Sequence, residues 1–111
     1  MSKTSAPTMI FDEVDAGISG AVAEIVGQQL RALGDSRQVF SVTHLAQVAA
    51  QAHRHFGIRK EVRAQQTYTR IEPLDAKARV QELARMQGGA EVSKAALDHA
   101  RDLLQRAGNA A

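Results

Sequence analysis

Two short β-prone runs separated by one helical stretch constrain this chain more than any other feature in it. Residues 8–11 read Thr-Met-Ile-Phe, a run suited to a buried strand, and the run stops at Asp12. Gly17 and Gly20 bracket a turn, after which Val22, Ile25, Val26, Leu30 and Leu33 recur at helical spacing up to a stop at Gly34. That spacing predicts one amphipathic helix from Ala21, with those apolar residues on its core face. Residues 38–43 are β-prone again, so residues 8–43 read as β-α-β. The crossover of such a unit is nearly always right-handed and leaves its two strands parallel. Both strands then end at one edge, and ligands of a parallel α/β sheet bind beyond the carboxyl ends of its strands. Asp12 and Glu13 stand at the first of those ends and His44 at the second. Neighbouring strands lie about 4.8 Å apart, and about twice that with one strand between, so the geometry permits a site in which a bound phosphate with its metal touches both ends, without proving one.

Further along, residues 45–52 suit a short helix, and residues 56–62 and 67–74 read as two strands around a polar turn at 63–66. A hairpin at a sheet edge is the simplest arrangement for them. Asp75 is a plausible N-cap for a helix carrying Val80, Leu83, Ala84 and Met86, which the Gly88-Gly89 pair ends. A last helix is expected over residues 92–107, with Ala96, Leu97, Ala100, Leu103 and Leu104 on one side. There is no internal repeat and no low-complexity tract.

A length of 111 residues fits one small domain with a modest core. The apolar fraction of 44% and charged fraction of 23% are those of an ordinary soluble protein. No apolar run approaches the roughly 18 residues of a membrane helix, and Met1-Ser2-Lys3-Thr4-Ser5 lacks a signal-peptide core, so a cytosolic protein is expected. The absence of cysteine excludes disulfides, thiolate catalysis and sulfur-ligated zinc. Any metal must be held by oxygen or imidazole. A net charge of +2, with basic residues scattered among 12 acids, is no evidence for nucleic-acid binding. The one local basic excess, residues 54–60, reads as a solvated strand face.

Asp12 at a strand end suits Mg²⁺, which prefers oxygen ligands, keeps several waters and is commonly held by one or two carboxylates plus substrate phosphates. Glu13 beside it is placed to orient or deprotonate an attacking water; taken alone the pair is a weak signal that also reads as two solvated loop acids, and the strand before it with Asp15 and the Gly-rich turn after it make it much stronger. His44 directly follows its strand and is a candidate to hydrogen-bond a terminal phosphate near neutrality, with an unperturbed pKa of about 6.5. The other histidines, His53, His55 and His99, read as polar residues without chemical duty, since no carboxylate cluster accompanies them. Residues 15–20 offer glycines and backbone amides just before a helix, which either bind an anion or simply make a turn that needs glycine. Neither G-x-x-x-x-G-K-[ST] nor G-x-G-x-x-G occurs, so the sequence holds no loop to cradle phosphates.

Three segments, taken in order, carry a resemblance. They are Met9-Ile10-Phe11-Asp12-Glu13-Val14-Asp15-Ala16-Gly17-Ile18-Ser19-Gly20, then Val42-Thr43-His44-Leu45-Ala46-Gln47-Val48-Ala49, then Lys77-Ala78-Arg79-Val80-Gln81-Glu82-Leu83-Ala84-Arg85-Met86-Gln87-Gly88-Gly89. Together they resemble the C-terminal part of the RecN family, bacterial DNA-repair ATPases related to SMC proteins and ABC ATPases, over about residues 7–104. The resemblance implies an α/β fold: the C-terminal lobe of a P-loop ATPase head of ABC/SMC type, mostly parallel strands with flanking helices and an edge hairpin. That lobe would occupy residues 8–107, between a disordered lead-in (1–7) and a tail (108–111).

By the same resemblance Asp12 is the Walker B acid, holding Mg²⁺ through water, and Glu13 the catalytic base that positions water for attack on the γ-phosphate. Asp15, with Gly17 and Gly20, belongs to the D-loop that touches an opposing head, and His44 is the switch histidine sensing the γ-phosphate. Positioning and electrostatic stabilisation supply most phosphoryl-transfer catalysis, which agrees with the strand-end reading. The implied cofactors are ATP and Mg²⁺. The implied partners are the N-terminal half of the head, a second head in a homodimer, and DNA, but no membrane, in a cytoplasmic, nucleoid-associated protein of double-strand-break repair and recombination.

Family members also carry a Walker A loop, a signature motif and a long coiled coil ahead of Walker B, and none of these occurs in this sequence. Ser19 stands where many relatives have glycine, and Thr8 is a less apolar start to its strand than usual. Three readings follow. The first is one lobe of a split head, inactive without the other half; the second is a binding or scaffold module that keeps the fold without catalysis. The third is an independent Mg²⁺-dependent phosphohydrolase, which the missing phosphate loop counts against.

Overall fold

The computed structural model describes residues 8–12, 17–88 and 91–110. In chain order the elements are β1 (Met9–Asp12), α1 (Gly20–Gly34), β2 (Val39–Val42), α2 (Ala46–Ala49), β3 (Phe56–Arg63), β4 (Gln66–Pro73), α3 (Ala76–Met86) and α4 (Lys94–Arg106). The expected β-α-β unit is present: β1 and β2 pair in parallel, with Met9 beside Val39 and Asp12 beside Val42. The strand spacing is therefore that of direct neighbours. The lead-in expected at residues 1–7 lies outside the described residues, as does Gly89.

The helices form where local chemistry specifies them. Asp75 caps α3, its carboxylate accepting from the Ala78 amide at 2.8 Å, and Ser93 caps α4 by accepting from the Ala96 amide at 3.0 Å. Gly88, at φ +94°, takes the left-handed conformation that ends α3. The core lies among the helices rather than under the sheet: Ala46, Ala49 and Ala50 of the α2 segment pack with Val80, Leu83 and Ala84 of α3 and with Ala100, Leu103 and Leu104 of α4. Leu83 and Leu104 are fully enclosed.

Helix α1 turns a different face to this core from the one its apolar spacing suggests. Ala23 and Gly27 are buried, whereas Val22 and Ile25 are 45% and 55% exposed. The cause is close approach. A side chain at Gly27 would meet the Gln47 carbonyl oxygen at 3.2 Å and Gln51 Cγ at 2.8 Å, so α1 and α2 lie together along a seam that only small residues allow. The larger apolar side chains at Val22 and Ile25 are left on the outer flank.

The hairpin also forms, with β3 and β4 in antiparallel register from Phe56 beside Pro73 to Arg63 beside Gln66. Ala64 (φ +50°) and Gln65 (φ +66°) make a two-residue turn of the I′ kind, though neither is a glycine or asparagine. Its expected place at the edge of the parallel sheet is not what the structure shows. Among the described residues the hairpin is a sheet of its own, separate from β1–β2. Eight-residue strands closed by a tight turn pair their inner backbone groups with each other, without needing a third strand. The hairpin stands away from the helices with little packing against other elements. The radius of gyration, 15.2 Å, accordingly exceeds the ~13 Å of a compact chain of this length.

Both sheets present apolar faces to solvent. Paired residues share a side, so Ile10, Phe40 and Val42 lie on one face of β1–β2 together with Asp12, and Ile10 is 74% exposed. On the hairpin, Phe56, Ile58, Val62 and Ile71 share one face, while Arg59, Glu61, Arg63, Tyr68, Arg70 and Glu72 share the other. Glu61 bridges Arg63 at 3.0 Å and Arg70 at 3.3 Å on that charged face.

Candidate functional site at the strand ends

Asp12 closes β1, exposed, directly beside Val42 at the end of β2, and exposed His44 follows two residues later. The parallel register thus brings the sequence-expected carboxylate and imidazole to one sheet edge. Glu13 and Asp15 lie outside the described residues. Gly17 adopts φ +76°, a left-handed turn conformation that glycine accommodates without strain. Gly20 opens α1 without a positive φ; a Cβ there would meet the amide nitrogen of the Gln47 side chain at 3.0 Å, so this glycine faces the α2 segment. Ser19, the N-cap of α1, makes no side-chain cap bond, and the first turn of the helix carries no acid.

Among the described residues no group of three or more His, Cys, Asp or Glu side chains could hold a metal ion. A magnesium ion at Asp12 would draw most of its ligands from water and a substrate's phosphates. One exposed carboxylate with hard oxygen donors fits that mode of binding.

His44 sits at the front of a segment held from several directions. Thr43 Oγ1 accepts from the Leu45 amide at 3.0 Å, tightening the bend that carries the imidazole. Leu45 is the N-cap of α2, a helix of only four residues. A single turn is not stable in isolation, since helix nucleation is unfavourable, so its neighbours must fix it. They do so at its far end. The Arg79 guanidinium, buried on α3, donates from Nη2 to the carbonyls of Ala49 at 3.0 Å, Ala50 at 3.3 Å and Ala52 at 2.6 Å. Asn109 Nδ2 donates to Ala50 at 2.8 Å and to Ala52 at 3.0 Å. Arg31 on α1 donates from Nη1 to the Gln51 carbonyl at 2.7 Å and to Asn109 Oδ1 at 3.3 Å. Two elements, α3 and α1, and a residue expected in the C-terminal tail therefore converge on the carbonyls of residues 49–52. This cluster went unrecognised in the sequence. Its one local signal is that Arg79 lies four residues before Leu83, on the buried stripe of an amphipathic helix.

The histidines read as chemically idle are placed as follows. His53 Nε2 lies 3.2 Å from Asp35 Oδ1, and His99 Nδ1 lies 3.0 Å from Gln87 Oε1. His55 is half-buried at the base of the hairpin, where its carbonyl accepts from the Leu74 amide at 2.9 Å. Burial lowers its pKa below the ordinary histidine value, the Arg79 guanidinium adds to the shift, and Glu82 partly opposes it. Arg79 is itself shifted down, first by burial and then by Arg31.

The class of fold follows from these elements together. A solved structure from work on ATP-driven dimerization and DNA-stimulated activation of SMC ATPases matches 78% of this chain and 51% of its own, at TM-score 0.62 and 19% identity. The chain has the fold of one lobe of an ATPase head of that type.

In sequence it is similar to a segment of the DNA repair protein RecN, consistent with the C-terminal part. It is 54% identical over 99 residues to the protein from Xylella fastidiosa, 51% over 98 residues to that from Deinococcus radiodurans, and 41% over 106 residues to that from Bacillus subtilis. Those matches cover 89%, 88% and 96% of this chain but only 18%, 17% and 18% of the relatives. The chain spans less than a fifth of the length of these curated relatives. No family model matches it. Among the described residues no helix is long and apolar enough to cross a membrane.

Proposed function

We propose that this chain is the C-terminal lobe of the head of a RecN-like, ATP-hydrolysing protein of DNA double-strand-break repair and recombination. The observation that carries the reading is the parallel register of β1 and β2, which sets Asp12 beside Val42 with His44 just beyond it. Asp12 is the Walker B carboxylate, holding Mg²⁺ through water. Bound there, the ion would neutralise charge on the β- and γ-phosphates of ATP. Glu13 follows Asp12 in the chain and acts as the base that orients the attacking water. His44, at the end of the neighbouring strand, donates to the γ-phosphate and reports its presence. Asp15, with the Gly17 turn and Gly20, forms the D-loop surface offered to a second head in the dimer.

The other half of the head supplies what this sequence does not contain, the phosphate-cradling G-x-x-x-x-G-K-[ST] loop and the signature motif. The exposed face formed by Ile10, Phe40 and Val42 supports this division, because parallel sheets are normally covered on both sides. It is the natural seat for that other half. The chain alone hydrolyses no ATP, and DNA engagement belongs to the complete protein. Titrating Mg-ATP into the isolated chain tests the reading: no binding in the micromolar range is expected, and micromolar affinity would overturn the division of labour.

A further inference from the structure

Arg79 is the one buried guanidinium among the described residues; its Nη2 donates to backbone carbonyls rather than to an acid, while its Nε is buried without a hydrogen-bond partner. A cation held by neutral carbonyls gains less than one paired with a carboxylate, so burying it costs stability that an apolar side chain would not. What it achieves is positional. The carbonyls it binds are those at the end of α2 and in the turn that follows, where a helix runs out of internal partners; that of Ala49 also accepts from the Ala52 amide at 3.2 Å. Helix α2 is one turn long, and the residue before its N-cap Leu45 is His44. Any rocking of α2 about its C-terminal end is therefore delivered to the imidazole at the front. At the front, the Thr43–Leu45 bend, the β2 strand and the burial of Ala46 among the helices hold the segment as well, so the clamp acts together with them.

We infer that Arg79, assisted by Asn109 and Arg31, is a positioning residue for His44: the buried guanidinium clamps the carbonyl end of α2 and so fixes the imidazole at the sheet edge beside Asp12. The inference rests on the proposed role of His44 as the group that meets the γ-phosphate. Arg79 touches neither nucleotide nor metal in this account. Its effect passes through one short rigid element, and misplacement of a reacting group by about 1 Å through a remote substitution can cost up to about 100-fold in rate.

The experiment uses the complete RecN-like ATPase containing this chain, with His44→Ala, Arg79→Met, Arg79→Lys and the His44→Ala/Arg79→Met double variant. Steady-state kcat and KM for ATP are measured for each. Arg79→Met should lower kcat about 10- to 100-fold with KM changed less than about threefold, since nucleotide binding resides elsewhere. Arg79→Lys, which keeps the charge and some of the carbonyl bonds, should recover part of kcat. The decisive readout is the cycle: with His44 already removed, losing Arg79 should cost little more. Losses that simply multiply, or a rise in KM with kcat intact, overturn the positioning role while leaving the role of His44 standing. An unchanged kcat in His44→Ala overturns the underlying reading and this inference with it. Should Arg79→Met fail to fold, Asn109→Ala, which removes the weaker clamp on Ala50 and Ala52, must show the same kcat-selective, non-multiplying loss on a smaller scale; its absence overturns the proposal.

Discussion

Substituting Gly27 by alanine tests the seam that sets α1 on α2, because two opposed effects of known size meet at that position. In the interior of an exposed helix, glycine to alanine is worth about 1 kcal/mol of stabilisation. Here the added methyl would lie 2.8 Å from Gln51 Cγ, 3.2 Å from Gln51 Cβ and 3.2 Å from the Gln47 carbonyl oxygen. None of these is the free end of a flexible side chain. Gln51 is 4% exposed, and its carbonyl is held by Arg31, so relief requires α1 and α2 to separate. Overpacking of a closed site costs about 1–3 kcal/mol, and the rigidity of these neighbours places the cost in the upper half of that range. The net expectation is a destabilisation of about 1–2 kcal/mol, which lowers the midpoint of thermal unfolding by about 4–8 °C for a chain of this size. The control is Gly34→Ala, whose Cβ would meet the His53 ring at an ordinary 3.4 Å and which should be neutral or mildly stabilising. Circular-dichroism melts at one fixed protein concentration measure both. A Gly27→Ala chain as stable as the parent, or more so, would refute the close-packed seam.

Other outcomes follow from the same structure. The bared faces around Ile10, Phe40, Ile58 and Ile71 should make the isolated chain self-associate, and strict monomer behaviour at high concentration in light scattering would contradict this. Replacing both Ile58 and Ile71 by threonine should weaken the association. The lowered pKa of His55 means that the folded state disfavours its protonation, so the unfolded state binds more protons once pH drops towards the ordinary value of about 6.5. Stability should therefore decline as pH falls from 7.5 to 5.5, and His55→Gln should flatten that decline; urea midpoints with the same pH slope in both chains would exclude His55 as its source.

How far the sequence predicted this structure depended on the distance over which each signal acts. The β-α-β unit, the Asp75 cap, the Gly88 stop and the hairpin strands were legible because each is specified within a few residues. The buried face of α1 was not, because the apolar spacing of Val22 and Ile25 marks a face that stays exposed among the described residues. The small residues Ala23 and Gly27, which carry no hydrophobic signal, make the contact instead. The separate hairpin sheet was missed because strand propensity says nothing about which strands pair. The clamp on residues 49–52 was invisible for a related reason. Arg79 and Asn109 reach it from far along the chain, and an arginine or an asparagine alone reads as solvated surface. At the site, the strand ends were found because the parallel register follows directly from the β-α-β pattern.

The central claim, that this lobe carries the hydrolytic half of an ATPase head, is tested most directly by Glu13→Gln in the complete protein, with Mg-ATP binding and turnover measured side by side. The substitution keeps the shape of the side chain and removes its basicity. Binding should remain at the parent level while turnover falls at least about 100-fold, the usual contribution of a positioned general base. Hydrolysis at the parent rate would contradict the account.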